Sequence, residues 1–283
     1  MKSEERAMYE TLFGIPVGLW LMLIIALAVS SLGFFRTVYF VSIGYTFSIV
    51  AMVVVASILM RRDLALTGLA QGLGLAVWGV RLGWFIVARE LAPSYQNERR
   101  ENNQRGAGLA WWTKGLIWMG VSLLYVCMYS PHWYVLAAPA ESLAPATWAI
   151  AIVGLGILWG GSAIEAIADR QKSRFKAQHP KAFCNVGLYR WVRCPNYWGE
   201  IMVWLGSWLV GLGYYHSIAA WVLGVVGLLC IVLVMMGSTK RLEASQAQRY
   251  GASAEFKEYV RTVPVLFPWL PVYSLKNVRV FIE

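Results

Sequence analysis

Charge is what this sequence has least of. Of its 283 residues, 14% are Asp, Glu, Lys or Arg, against about 25% in an ordinary soluble domain, while 58% are hydrophobic. Histidine is scarce, with three residues, and the four cysteines (Cys127, Cys184, Cys194, Cys230) form no CxxC pair. Neither a disulfide framework nor a zinc site is indicated, and plain reduced thiols are expected. The three histidines are too far apart to share a metal; His132 reads as an interfacial residue near the outer end of a span. No GxGxxG follows a strand pattern, which excludes a Rossmann dinucleotide site. The opening MKSEERAMYE lacks the form of a cleavable leader and is expected to lead into a retained span.

What is present is a series of long apolar runs. A span needs roughly 20 apolar residues to cross a hydrocarbon core about 30 Å thick. Thr11–Phe35 and Thr37–Met60 meet that length on either side of Arg36. Leu64–Val80 continues past Arg81 to Ala88, and Gly115–Ala140 and Ser142–Ile164 add two more. Ile201–Thr239 runs 39 residues without a charge, too long for one crossing. Near its middle, GLGYYHS (Gly211–Ser217) has the turn residues and tyrosines of a short reversal. The reading is an all-α polytopic bundle of about seven transmembrane helices in one membrane domain. The spans fall at roughly 12–32, 38–60, 64–88, 112–136, 146–168, 197–214 and 218–237, with residues 238–283 as a tail. Ala92–Gly108 is expected to be a polar, poorly ordered loop. Gly72, Gly74, Gly79 and Gly83 in the third span predict close helix contact.

The net charge of +10 would suit nucleic acid if it were spread over a surface, but its distribution follows the loops instead. Asp169–Asn196 holds seven Lys or Arg, the segment after Gly237 seven more, and the loop before the fourth span adds Arg89, Arg99, Arg100 and Arg105. The loops between spans four and five and between six and seven hold none. The positive-inside rule then places the basic loops and the C-terminus in the cytoplasm of an integral protein of the cell inner membrane or endoplasmic reticulum. Lys2, Arg6, Arg61 and Arg62 fall on the outer side and weaken that bias in the first half.

The sixth span begins strangely for a membrane helix, with LYRWVRCPNYWGE (Leu188–Glu200). Pro195 suits the first position of a helix, where its missing N–H costs nothing. The free N–H groups of that turn attract anions. Asn196, Glu200 and Ser207 follow on one helical face, and a carboxylate such as Glu200 within a span needs a polar partner or a function. The end of span five mirrors this arrangement, with Glu165, Asp169, Lys172 and Lys176 on one face. Carboxylates accept from ribose hydroxyls or a carboxamide, while Arg and Lys take phosphate oxygens. Together the two faces suit a dinucleotide. The blander reading is that the basic residues bind anionic headgroups and fix topology.

GLYRWVRCPNYWGE (Gly187–Glu200) resembles the signature of the steroid 5-alpha-reductase superfamily, and EAIADRQKSRF (Glu165–Phe175) its preceding helix-end motif. RLEASQAQRYGASAEFKEYVRTVPVLFPWLP (Arg241–Pro271) is similar to that family's C-terminal segment, and WGVRLGW (Trp78–Trp84) to an uncharacterised membrane branch of it. The resemblance implies NADPH entering a seven-helix bundle from the cytoplasmic side and reduction of a carbon–carbon double bond of a lipophilic, steroid-like or other enone substrate. It carries cofactor binding onto Asp169, Asn196 and Glu200, and less directly onto Arg241 and Tyr250. Proximity and charge add Lys172, Arg190, Arg193 and Tyr197. Cys194 stands where the signature has His, and Trp78 where steroid-reducing members have Tyr. No Gln–Glu pair occurs in the first two spans, which leaves Tyr45 as the catalytic donor candidate for the developing enolate. Two alternatives stand beside this reading. One is an isoprenylcysteine-type methyltransferase using S-adenosylmethionine, which shares the helix start and tail pattern. The other is a non-enzymatic lipid-binding bundle, since fold does not fix activity.

Overall fold

The computed structural model describes residues 10–60, 65–138 and 144–278. Lys2, Arg6, Arg61 and Arg62 lie outside them. A two-residue hairpin opens the described chain. Thr11–Leu12 (β1) pairs antiparallel with Ile15–Pro16 (β2) around Phe13 and Gly14, both at positive φ (54° and 76°). This is the geometry of a type I′ turn. The helix of the first expected span therefore starts at Val17 rather than residue 12, because Gly14 and Pro16 break a pattern that apolar content alone ignores.

The helices follow in order: α1 (Val17–Ser30), α2 (Ile43–Leu59), α3 (Leu66–Leu91), α4 (Gln96–Ala107), α5 (Trp111–Ala137), α6 (Pro145–Gln178), α7 (Pro195–Gly211), α8 (Ile218–Tyr250) and α9 (Ala254–Thr262). Among the described residues, five segments are long and apolar enough to cross a membrane: Val17–Phe34, Thr37–Leu59, Leu66–Leu91, Pro145–Gln178 and Ile218–Tyr250. The protein is an all-α polytopic membrane protein. Large apolar side chains such as Ile24 (63% exposed), Leu116 (65%) and Ile218 (84%) face outward, a surface suited to lipid. Two of the seven expected spans fall outside that set. At 17 residues α7 is short, and α5 is long but carries Lys114, Pro131, His132 and several Trp and Tyr among its apolar residues.

In three places the chain is helical beyond the expected spans. The polar segment Ala92–Gly108 is largely helix α4, consistent with the good helix formers Gln, Glu and Arg in QNERRENNQRGA. Helix α6 runs ten residues past the expected end of span five at residue 168, since no Gly or Pro follows that position before Pro180. The tail expected from residue 238 begins as helix, because α8 runs on to Tyr250.

The chain divides into two compact units: the described parts of Met1–Leu155 with Gly206–Leu228, and of Gly156–Leu205 with Leu229–Glu283. In the first, α1, α2, α3 and α5 pack on one another. Glycine makes two of these contacts close, as expected for α3. A Cβ on Gly79 would meet Val50 Cγ2 at 2.6 Å, and one on Gly72 would meet the His132 ring at 3.0 Å. His132, expected near the outer end of its span, is fully buried within the protein. Its Nδ1 lies 3.3 Å from Gln71 Oε1, while Gln71 Nε2 donates to the Ser207 hydroxyl (2.9 Å) and carbonyl (3.0 Å). Ser207 thus serves the first unit rather than the polar start of α7. The reversal between α7 and α8 is short as expected, with a 3-10 turn at Leu212–Tyr214 and the Ser217 hydroxyl accepting from Ala220 N–H.

Candidate functional site

The second unit holds every residue nominated for the cofactor, and two glycines frame it. A Cβ on Gly161 of α6 would lie 2.5 Å from the Gly199 carbonyl oxygen of α7. One on Gly199 would lie 2.7 Å from the Gly161 oxygen and 2.8 Å from the Glu165 nitrogen. Backbones approach this closely in lipid only where side chains are minimal. The crossing sets Glu165 beside the first turns of α7, with Asp169 one turn further along α6. Glu165, Asp169 and Glu200 are buried at 2%, 7% and 7% exposure, and Asn196 and Tyr197 are half-buried behind Pro195. The two carboxylate-bearing faces read from the sequence are therefore brought to one crossing.

The loop between α6 and α7 is laid back onto α6. Gly187, at φ +58°, lets the chain turn where a Cβ would strike the Gln171 side chain at 2.4 Å, and Gln171 Oε1 accepts from Leu188 N–H (2.9 Å). This places Tyr189 near Asp169. Burial first, and the Asp169 charge second, push the Tyr189 phenol above its ordinary range. The hydroxyl is buried and finds no hydrogen-bond partner among the described residues. Burial also raises the Cys194 thiol to about 11, against the opposing pull of the Lys172 and Arg193 charges and a Thr239 hydrogen bond. Lys172, half-buried one turn beyond Asp169, thus reaches electrostatically to the start of α7.

The nominated cations divide. Arg190 and Arg241 are exposed, and Arg241 Nη2 donates to Ser238 Oγ (2.9 Å). Arg193 is buried and committed within the protein. Its Nη2 donates to Glu243 Oε1 (2.8 Å) and to the Tyr273 carbonyl, while Glu243 Oε2 accepts from Leu275 N–H (2.8 Å). The backbone agrees, with Arg193 N–H and Cys194 N–H donating to the carbonyls of Pro264 (2.9 Å) and Val265 (3.0 Å). Arg193 is a clasp for the returning tail. Tyr250 is committed too, its hydroxyl accepting from Lys176 Nζ at 2.6 Å, and that ammonium also holds the Ala182 carbonyl (2.6 Å). Tyr45, the catalytic candidate, is buried in the first unit, its ring 5.4 Å from Trp78 and 5.2 Å from Tyr125.

Sequence reasoning missed Glu243, Gln171 and Tyr189. Glu243 stood in the matched C-terminal segment, but nothing local set it apart from the other charges there. Chemically, the α6–α7 crossing and its edge carry acceptors on two helices (Asp169, Glu200, Glu165), an amide that both donates and accepts (Asn196), a phenol (Tyr197) and three cations (Lys172, Arg190, Arg241). Those are the partners a dinucleotide needs: acceptors for hydroxyl and carboxamide N–H groups and cations for phosphate.

A family model described as a protein of unknown function (DUF1295) matches residues 25–263. The chain belongs to the DUF1295 family. No curated protein and no solved structure matches it. The family's extent takes in all nominated residues from Tyr45 to Tyr250 and stops short of Tyr273, Leu275 and Lys276.

Proposed function

We propose that the protein is a membrane reductase that binds NADPH at the α6–α7 crossing and delivers its hydride to a carbon–carbon double bond of a lipophilic enone substrate. The reading includes seven spans, with α5 and α7 crossing as well, and a site open to the cytoplasm. One observation carries it: three carboxylates buried to 7% exposure or less stand on two helices joined at Gly161 and Gly199, with Asn196 beside them. Acids buried at the end of a membrane bundle are rare, pair with polar groups and tend to mark ligand or ion sites. Asp169, Glu200 and Asn196 would hold ribose hydroxyls and the carboxamide, and Lys172, Arg190 and Arg241 the phosphates. The bound cofactor supplies the hydride, and the protein supplies binding and orientation.

Thermal stabilisation of the detergent-purified chain by NADPH, NADH and S-adenosylmethionine, side by side, tests the reading. A ligand at 100 times its Kd adds about 2.7 kcal/mol, a readily measured shift. NADPH is expected to stabilise the wild type but not Asp169→Ala or Asn196→Ala. Stabilisation by S-adenosylmethionine alone would make the protein a methyltransferase. No shift with any of the three would leave a lipid-binding bundle.

A further inference from the structure

A cavity of about 260 Å³ lies in the second unit beyond the clasp. Arg193 and Glu243 form one side of it, Lys257 of α9 and Lys276 of the tail contribute the others, and Phe256 and Val260 add apolar wall. We propose that this cavity binds a phosphate monoester dianion.

Three observations converge on that ligand. The first is an unmet donor. Arg193 is 3% exposed and its Nη2 is spent on Glu243 and Tyr273, yet its buried Nε–H has no acceptor among the described residues. Buried donors are rarely left unmade, and a charged one is the most expensive to leave. Arg193 lines the cavity, and a small rotation of its guanidinium on ligand entry would bring that donor to a ligand oxygen. The second is charge. Arg193 and Glu243 cancel, which leaves the two lysines, exposed and in no salt bridge among the described residues. The uncompensated +2 matches a dianion, where a carboxylate would leave one charge over. The third is shape. The volume falls just under the roughly 300 Å³ at which pockets for drug-sized ligands begin. The Phe256 and Val260 walls suit the organic part of an ester better than bare phosphate.

Two sources offer this chemistry: a nucleotide phosphate and the monoester headgroup of a lipid such as phosphatidic acid. Neither depends on hydride transfer, so the cavity stands or falls separately from the reductase reading. The test is calorimetric titration of the purified full chain with inorganic phosphate, comparing wild type with Lys257→Ala/Lys276→Ala. Both lysines are solvent-facing, so the double variant is expected to keep the wild-type thermal midpoint. Saturable binding that weakens at least tenfold in the double variant, and that weakens with added salt in the wild type, is the expected result. No binding to wild type, or equal binding to both proteins, overturns the proposal. Competition then assigns the source. Displacement by 2′-AMP identifies a nucleotide, and displacement by phosphatidic acid in nanodiscs identifies a headgroup; either one supports the site. Loss of NADPH stabilisation with phosphate binding intact would remove the reductase and keep this pocket.

Discussion

Between the helices of the first unit, polar side chains are mostly neutral and answer one another. The Ser30 and Ser122 hydroxyls stand 2.9 Å apart, Thr67 and Tyr214 meet at 3.1 Å, and Gln71 joins Ser207 and His132. In the second unit most of the buried polar groups are ions, Arg193 against Glu243 with Glu165, Asp169 and Glu200 at the α6–α7 crossing, beside the hydroxyls of Ser162 and Thr239; among the described residues the first unit buries one acid, Glu90, which faces Arg36 at 3.6 Å. The difference follows from what each region has to hold. Spans that only pack on one another in lipid need modest hydrogen bonds at small-residue contacts, since lipid tails are as apolar as the helices themselves. A region that carries acids and cations at 7% exposure or less pays for it in desolvation, and such an arrangement is kept where the charges are used. The proposed ligand chemistry is placed in the second unit on that ground.

The largest break in this contrast is at the clasp. Arg193→Met leaves Glu243 buried without its cation and frees the tail carbonyl of Tyr273. Removing one partner of a buried pair costs about 3–5 kcal/mol. A fall in the thermal midpoint of the purified protein is expected, with proteolytic sensitivity appearing first in the tail after Thr262. Arg193→Met/Glu243→Leu is expected to recover much of the loss, because an apolar pair in place of a buried ion pair is often neutral. A double variant as unstable as the single one would show that the charges do more than hold each other.

A smaller effect is expected at Gln71. In a membrane bundle a side-chain hydrogen bond is worth about 0.6 kcal/mol on average and about 1.7 at most. A double-mutant cycle of Gln71→Leu and Ser207→Ala should therefore give a coupling within that range, read from thermal or denaturant unfolding. A coupling as large as the clasp's would erase the distinction between the two units.

How much of this was legible in the sequence depends on locality. The apolar runs gave the spans because burying twenty apolar residues in lipid outweighs local preference. The hairpin at Phe13–Gly14 was missed because two turn residues inside an apolar run leave its composition unchanged. The helical extensions to Gln178 and Tyr250 were missed because a membrane sets the length of a span, not the end of a helix, and neither stretch has a proline to stop it. Asp169 and Glu200 were visible as acids against an apolar background. Glu243 was not, because its role exists only once Tyr273 and Leu275, thirty residues on, fold back to it. Charge and proximity named Arg193, but its partner Glu243 is non-local and stayed unseen for the same reason.

The finest test uses Cys194, which stands between the clasp and the carboxylate face. Burial raises its thiol to about 11, while the charges of Lys172 and Arg193 pull the other way. An unfolded cysteine titrates near 8.5, so at pH 8.5 about half of it is thiolate. The folded group is almost wholly protonated at that pH, and only the thiolate alkylates. Iodoacetamide at pH 8.5 is therefore expected to modify Cys194 on the order of 100-fold more slowly in the native protein than in denaturant, as read by peptide mass spectrometry. Because the native state holds its proton above the unfolded pKa, stability from this group is full below about pH 8.5 and falls as pH rises toward about 11. Lys172→Met removes a charge that favours the thiolate and should slow native alkylation further. If the substitution leaves the rate unchanged, Lys172 does not reach the start of α7, and it leaves the set of cations available to a phosphate there.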